Sequence, residues 1–249
     1  MKLKKVLKGF SGSKILIYND GKKNFVRKKN NIKRNIIRFK SLKKVITLPK
    51  IYNVKKNYFD MEYIDGLSIE QYLIENDIKT LLDFINKTLN KLSKIKYEFK
   101  DYSNTYKNFL KDVNFNETIF SKKNLIDKLP KRLIKTQYHG DFTLENILFK
   151  ENKFYLIDWS EGIFDSYIFD YSKLRQDIET LWFLRDKENI NNTIYLKLNY
   201  LKKELSKRFK YYNNKYLLIL MLLRVYKYTK KDTFEKNFLL KRINKTWKS

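Results

Sequence analysis

Tyr138-His139-Gly140-Asp141-Phe142-Thr143-Leu144-Glu145-Asn146-Ile147-Leu148 is the stretch on which the reading of this chain turns. It contains the only histidine among 249 residues. Ten residues beyond Asn146 begins Leu156-Ile157-Asp158-Trp159. An aspartate, an asparagine five residues on, and a second aspartate closing a short apolar strand bring three hard oxygen donors toward one cleft. Hard oxygens are the ligands Mg²⁺ prefers, and a carboxylate beside them can orient a reacting hydroxyl. Glycine is scarce: five of the six stand beside these elements or in turns that lead to one.

Outward from that stretch, residues 135–158 read as two or three short strands around the His-Gly-Asp loop. Toward the N-terminus, residues 1–64 are strand-rich. Short strands are expected over 6–10, 14–18 and 24–28, and Asp20-Gly21 between the last two is a hairpin signal. Residues 31–42 read as a helix, and 45–48 and 58–64 as two more strands, with Pro49 at a strand edge or turn. Asp65-Gly66 breaks the pattern. Ser68 then reads as a helix N-cap, with Gln71 three residues on completing a capping box. Helices are expected over 69–97, two shorter ones over 102–134, and nearly continuous helix from 169 to 247. The expected architecture is α+β: a small antiparallel-sheet lobe, 1–64, and a large, mainly helical lobe, 65–249.

The composition sets limits. Without cysteines there are no disulfides, which suits a reducing compartment, and a cytoplasmic location is expected. The longest apolar run, residues 216–223, is far short of the roughly 20 residues of a membrane span and reads as a buried helix. The net charge is +28, with lysines spread along the whole length. This reads as the default surface of the chain. No nucleic-acid partner is expected, and only weak association with anionic surfaces. One stretch departs from the background: residues 158–188 hold eight acids against four bases. Either a ligand site or charge pairing on helix surfaces accounts for that.

Several other residues carry candidate chemistry. Ser11, Gly12 and Ser13 lie in the turn between the first two strands, where small residues let backbone N–H groups approach a phosphate. Period 2 puts Val26 and Lys28 on one face of the third strand, so Lys28 can reach phosphates in the same cleft. Met61, Glu62 and Ile64, at the boundary between the halves, can offer backbone groups to a base edge. His139 reads either as a ligand or acid/base, or as a structural residue within the loop.

On the His-Gly-Asp-x-x-x-x-Asn run and the following Ile-Asp-Trp, the chain resembles the aminoglycoside phosphotransferase and choline kinase-like small-molecule kinases, over nearly its whole length. Protein kinases carry Arg in place of Gly140 and Phe-Gly after the second Asp, where this chain has Trp159-Ser160. The resemblance implies a bilobal protein-kinase-like fold and transfer of a γ-phosphoryl group from ATP or GTP, with Mg²⁺, to a hydroxyl of a small metabolite. It makes Asp141 the catalytic base, Asn146 and Asp158 the metal ligands, Lys28 the phosphate-binding lysine, 11–13 the phosphate loop and Asp170 a structural aspartate. One departure stands out. Kinases pair the strand lysine with a helix glutamate, yet no acid occurs between Lys29 and Phe59; Asn35, or nothing, takes that place. A catalytically silent binding module is the alternative this leaves open. For the acceptor, Asp165, Tyr171, Gln176, Asp177 and Trp182 are expected to line a pocket for a sugar or surface-glycan precursor, with choline or ethanolamine second.

Overall fold

The computed structural model describes residues 1–8, 14–29, 31–209, 211, 213–231 and 233–249. Strands β1 (Lys2–Lys8), β2 (Lys14–Asn19), β3 (Asn24–Lys28), β4 (Ile51–Val54) and β5 (Phe59–Glu62) form one antiparallel sheet in the order β1-β2-β3-β5-β4. The Asp-Gly hairpin joins β2 to β3. Asp20 Oδ1 accepts the amides of Lys22 and Lys23, both at 2.9 Å, which fixes the turn and sets Asn19 opposite Asn24. Arg27 and Asp60 are register partners on β3 and β5 and form a two-pronged ion pair, at 2.7 and 2.9 Å, on the sheet face away from Lys28.

The expected strand over 45–48 is not there. Val45 and Ile46 form a turn that closes helix α1 (Ile32–Leu42), both amides donating to the Leu42 carbonyl. They are apolar because they are buried in the core, not because they pair in a sheet. The fourth strand lies instead at 51–54, at the sheet edge, just after Pro49.

The chain then leaves the sheet. Two-residue strand β6 (Leu67–Ser68) leads into α2 (Ile69–Glu75), and the Ser68–Gln71 capping box is fully formed. Helix α3 (Ile78–Lys94) follows, then β7 (Lys96–Asp101), α4 (Ser103–Leu110), α5 (Lys122–Lys128) and β8 (Arg132–Thr136). Strand β7 pairs with β8 and was not expected from the sequence. Strands β9 (Ile147–Lys150) and β10 (Lys153–Leu156) form a hairpin whose turn residues, Glu151 and Asn152, both have positive φ. Strand β6 pairs with β9, and a Cβ on Gly66 would press on the Phe149 carbonyl, so the crossing needs glycine. Four helices complete the fold: α6 (Tyr167–Thr180), α7 (Asn192–Arg208), α8 (Lys215–Tyr226) and α9 (Phe234–Lys248).

Two apolar cores result. One joins the sheet and α1 to α2, α3, β9, β10, α6 and α7, so the lobes share packing. Trp159 is its bridge: it sits against Phe39 and Phe59, with ring centroids 5.4 and 6.4 Å away, and its Nε1 donates to the Asn35 carbonyl. The second core gathers α4, α5, α8 and α9 around the buried run 217–223. Among the described residues no helix is long and apolar enough to cross a membrane.

Candidate active site

The loop from His139 to Asn146 and the segment from Ile157 to Ser160 run side by side. Ile157 N donates to Asn146 O at 2.8 Å, and Ser160 N donates to His139 O at 3.1 Å. These two bonds bring the separated motifs together. Gly140 lies in this crossing with φ 93°, and a Cβ there would overlap the Ser160 carbonyl oxygen and hydroxyl. Only glycine fits, which accounts for the residue that sets this loop apart from that of protein kinases.

Asp141 and Asn146 meet as the spacing implied. Asn146 Nδ2 donates to the Asp141 carbonyl at 2.9 Å and to its carboxylate Oδ2 at 3.2 Å. With its NH₂ so engaged, the asparagine has its carbonyl oxygen to offer a cation. Asp158 adopts φ 58°, a left-handed conformation that is strained for an aspartate and typical of functional positions. Its carboxylate takes the Lys28 ammonium at 2.5 Å across the cleft; the two side chains are 50% and 17% exposed. Lys28 therefore has an acid partner, supplied by Asp158 and not by α1. Helix α1 docks differently. Arg38 donates to Gln137 Oε1 at 3.1 Å and stacks on Tyr138, and Ser41 accepts from Gln137 Nε2. Asn35 contributes its backbone carbonyl to Trp159.

Helix α6 holds the loop from below. Asp170 accepts the backbone N–H groups of His139 and, at 2.7 Å, Gly140. Asp177 Oδ2 accepts that of Leu144 at 2.7 Å. Burial pushes the Asp170 carboxyl up to about 6, although its backbone donors pull the other way. Burial, with Glu145 nearby, pushes Asp177 up to about 8, so it is largely protonated at neutral pH. His139 is fully buried, which lowers it to about 4; the neutral ring is a packing residue whose backbone does the bonding. Burial would raise Asp141, but Lys173 and Arg224 outweigh it and hold the carboxyl below its ordinary range.

Lys173 and Arg224 were missed by the sequence reading. Lys173 Nζ lies 3.4 Å from Asp141 Oδ1, and Arg224 Nη2 donates to Gly140 O at 3.1 Å. Each left a trace. Asp170, Lys173 and Asp177 follow the i, i+3, i+7 spacing of one helix face, and Arg224 is a charge set between Leu223 and Val225 at the end of the apolar run of α8.

The expected acceptor pocket is not formed by the residues assigned to it. Tyr171, Gln176, Asp177 and Trp182 are at most 3% exposed. Tyr171 OH donates to Leu205 O, and Trp182 packs near Phe238. Helix α6 touches α3, α7 and α8, so its side chains face either core or loop. Asp165 is drawn away by Lys100 at 2.9 Å and Tyr102 OH at 2.8 Å. At the lobe boundary Met61 and Ile64 turn into the core, and Glu62 accepts the Lys50 amide and donates its own to Lys50 O, so the backbone of Met61 and Glu62 is engaged in the sheet between β3 and β4. Ser11, Gly12 and Ser13 lie outside the described residues. Two cavities, of about 290 and 310 Å³, sit at the α8–α9 junction and on the outer sheet face; neither includes Asp141 or Asp158.

No protein-family model and no curated protein matches the sequence. Solved structures match the fold. The aminoglycoside phosphotransferase APH(4)-Ia superposes with a TM-score of 0.68 at 11% identity, over 99% of this chain and 94% of that one. The chain has the protein-kinase-like fold of small-molecule kinases. A putative fructosamine-3-kinase from Haemophilus somnus shares it with a TM-score of 0.58 at 14% identity, over 98% and 92% of the two chains. A choline/ethanolamine kinase family protein from Mesorhizobium loti does so at 0.58 and 12%, over 99% and 89%. In such a fold the cleft between sheet and helices is where Lys28, Asp141, Asn146 and Asp158 converge.

Proposed function

We propose that this protein transfers a γ-phosphoryl group from ATP or GTP to a hydroxyl of a small metabolite. The observation that carries the reading is the convergence of Asp141, Asn146, Asp158 and Lys28, drawn from both lobes, on one cleft. Lobe 1–64 would bind nucleotide through Lys28, through residues 11–13 and through the segment 61–64 that leaves the sheet. Lobe 65–249 would supply the base and the acceptor site. Asn146 Oδ1 and Asp158 fit a magnesium site, since Mg²⁺ takes one or two protein oxygens beside phosphates and water. Bound there, Mg²⁺ would neutralise charge on the transferred group. Asp141, kept ionised by its cationic neighbours, would orient the acceptor hydroxyl and take its proton.

The acceptor we favour is a neutral sugar or polyol, such as a surface-glycan precursor. The acids of residues 158–188 do not form a cation cage: Asp158, Asp165 and Glu179 are ion-paired, and Asp170 and Asp177 are buried on backbone amides. Two cations flank the base instead, which disfavours choline, ethanolamine or a polycation. A structural relative is solved with ADP and hygromycin B bound, which supports nucleotide and a small molecule as the ligand pair.

A coupled ADP-release assay over a panel of sugars and amino-alcohols tests this. Asp141→Ala should lower turnover about 100-fold or more while Mg-ATP still binds. Asp158→Ala should lose magnesium-dependent nucleotide binding as well. Mg-ATP binding with no turnover on any acceptor would favour a silent binding module. That reading draws on the missing helix acid.

A further inference from the structure

Helix α6 meets the catalytic loop at three side chains on one face. Asp170 and Asp177 hold backbone amides on either side of Asp141. Lys173, between them, instead reaches a side chain. Its ammonium lies 3.4 Å from Asp141 Oδ1 and 3.2 Å from Gln176 Oε1. The residue is only 6% exposed, an uncommon place for lysine unless a partner requires it. The other carboxylate oxygen, Oδ2, takes Asn146 Nδ2. The carboxylate is thus gripped at both oxygens, from the loop on one side and from α6 on the other. A carboxylate held at one oxygen pivots about its terminal torsion, which is broad. Held at both, it presents a fixed lone pair, and catalysis depends steeply on such alignment. Arg224 cannot do this, because it bonds to the Gly140 carbonyl and fixes backbone only.

We propose that Lys173 is a positioning residue for Asp141, fixing the rotation of its carboxylate toward the acceptor hydroxyl. The proposal rests on the phosphotransferase reading of Asp141, and its test separates the two. Lys173→Met removes the grip, Lys173→Gln keeps a polar group for Gln176 if methionine prevents folding, and Lys173→Arg restores a cation. The first readout needs no substrate. In crystal structures, the Asp141 carboxylate should swing beyond about 3.5 Å from Asn146 Nδ2 in Lys173→Met or Lys173→Gln, and stay within it in Lys173→Arg. The second readout uses Mg-ATP and whichever panel acceptor the wild type phosphorylates. There kcat should fall about 10- to 100-fold, with KM for Mg-ATP within about twofold, and Lys173→Arg should recover most of the loss. A carboxylate unmoved in the neutral variants, or an unchanged kcat, overturns the proposal. A wild type that phosphorylates no acceptor would sink the phosphotransferase reading, while the crystallographic result still decides the role of Lys173.

Discussion

One residue of the loop and one that holds it from α6 make sharp predictions. Gly140 combines φ 93° with a site where any Cβ meets the Ser160 backbone. Gly140→Ala should therefore cost about 2–3 kcal/mol, read as a lowered urea midpoint with unchanged m, since strain of this kind costs 1–3 kcal/mol per residue. No change in midpoint would mean that the 157–160 segment yields easily. Asp177 predicts a pH effect. Its folded pKa of about 8 lies above that of a free aspartate, so the folded state holds a proton that the unfolded state releases. The group's contribution is fully present below about pH 4 and is lost as pH rises toward 8. Glu145 and Lys173 are the charged groups facing it, the first raising its pKa and the second lowering it. Asp177→Asn cannot lose that proton. The stability of Asp177→Asn relative to wild type should therefore grow from pH 4 to pH 8, by up to about 1.4 kcal/mol per unit. Parallel pH–stability curves for the two proteins would refute the assignment.

At the scale of elements, what could be read from sequence was what is encoded locally. The Ser68–Gln71 capping box needs only four consecutive residues and formed as expected, with Ser68 Oγ accepting the Gln71 amide at 3.3 Å. Ser68→Ala should cost about 1 kcal/mol in chemical denaturation, the usual worth of an N-cap. A loss under about 0.3 kcal/mol would show that packing of Ile69 and Tyr72 alone holds α2. The loop motif was legible for the same reason, since Asp141 and Asn146 are five residues apart and bonded to each other. Longer-range elements were not. Strand β7 pairs with β8 across the α4–α5 segment, and its Tyr97 and Phe99 are exposed, so neither burial nor a nearby turn announced it. Residues 45–48 looked like a strand because burial of Val45 and Ile46 produces the same composition in a turn as in a sheet. Helix α6 shows the limit most clearly. Twelve of its residues are buried, and composition alone cannot tell an acid that lines a pocket from one that grips a backbone amide.

For the molecule as a whole, the charge of +28 acts on folding and on binding with opposite signs. Each additional cation raises the repulsion within the compact state. Ion pairs offset little of it, because exposed pairs such as Lys207–Glu204 or Lys150–Glu151 contribute on the order of 0–1 kcal/mol. Screening should therefore stabilise the ligand-free protein. Raising NaCl from about 20 to 300 mM, which shortens the Debye length from roughly 20 to 6 Å, should raise Tm by several degrees. The same screening should weaken Mg-ATP, an anion drawn to a cationic protein, so its Kd should rise over that range. Calorimetry on the free protein and titration of Mg-ATP measure the two effects separately. A Tm that falls with salt would mean that attractive pairs such as Arg27–Asp60 and Arg175–Glu179 dominate the fold's electrostatics. A Kd independent of salt would mean that nucleotide is held by local contacts at Lys28 and the metal site, with the surrounding charge irrelevant to binding. A Tm and a Kd that both rise with salt would leave the lysine excess with one consistent account: a solvated surface that burdens folding slightly and draws an anionic donor toward the cleft.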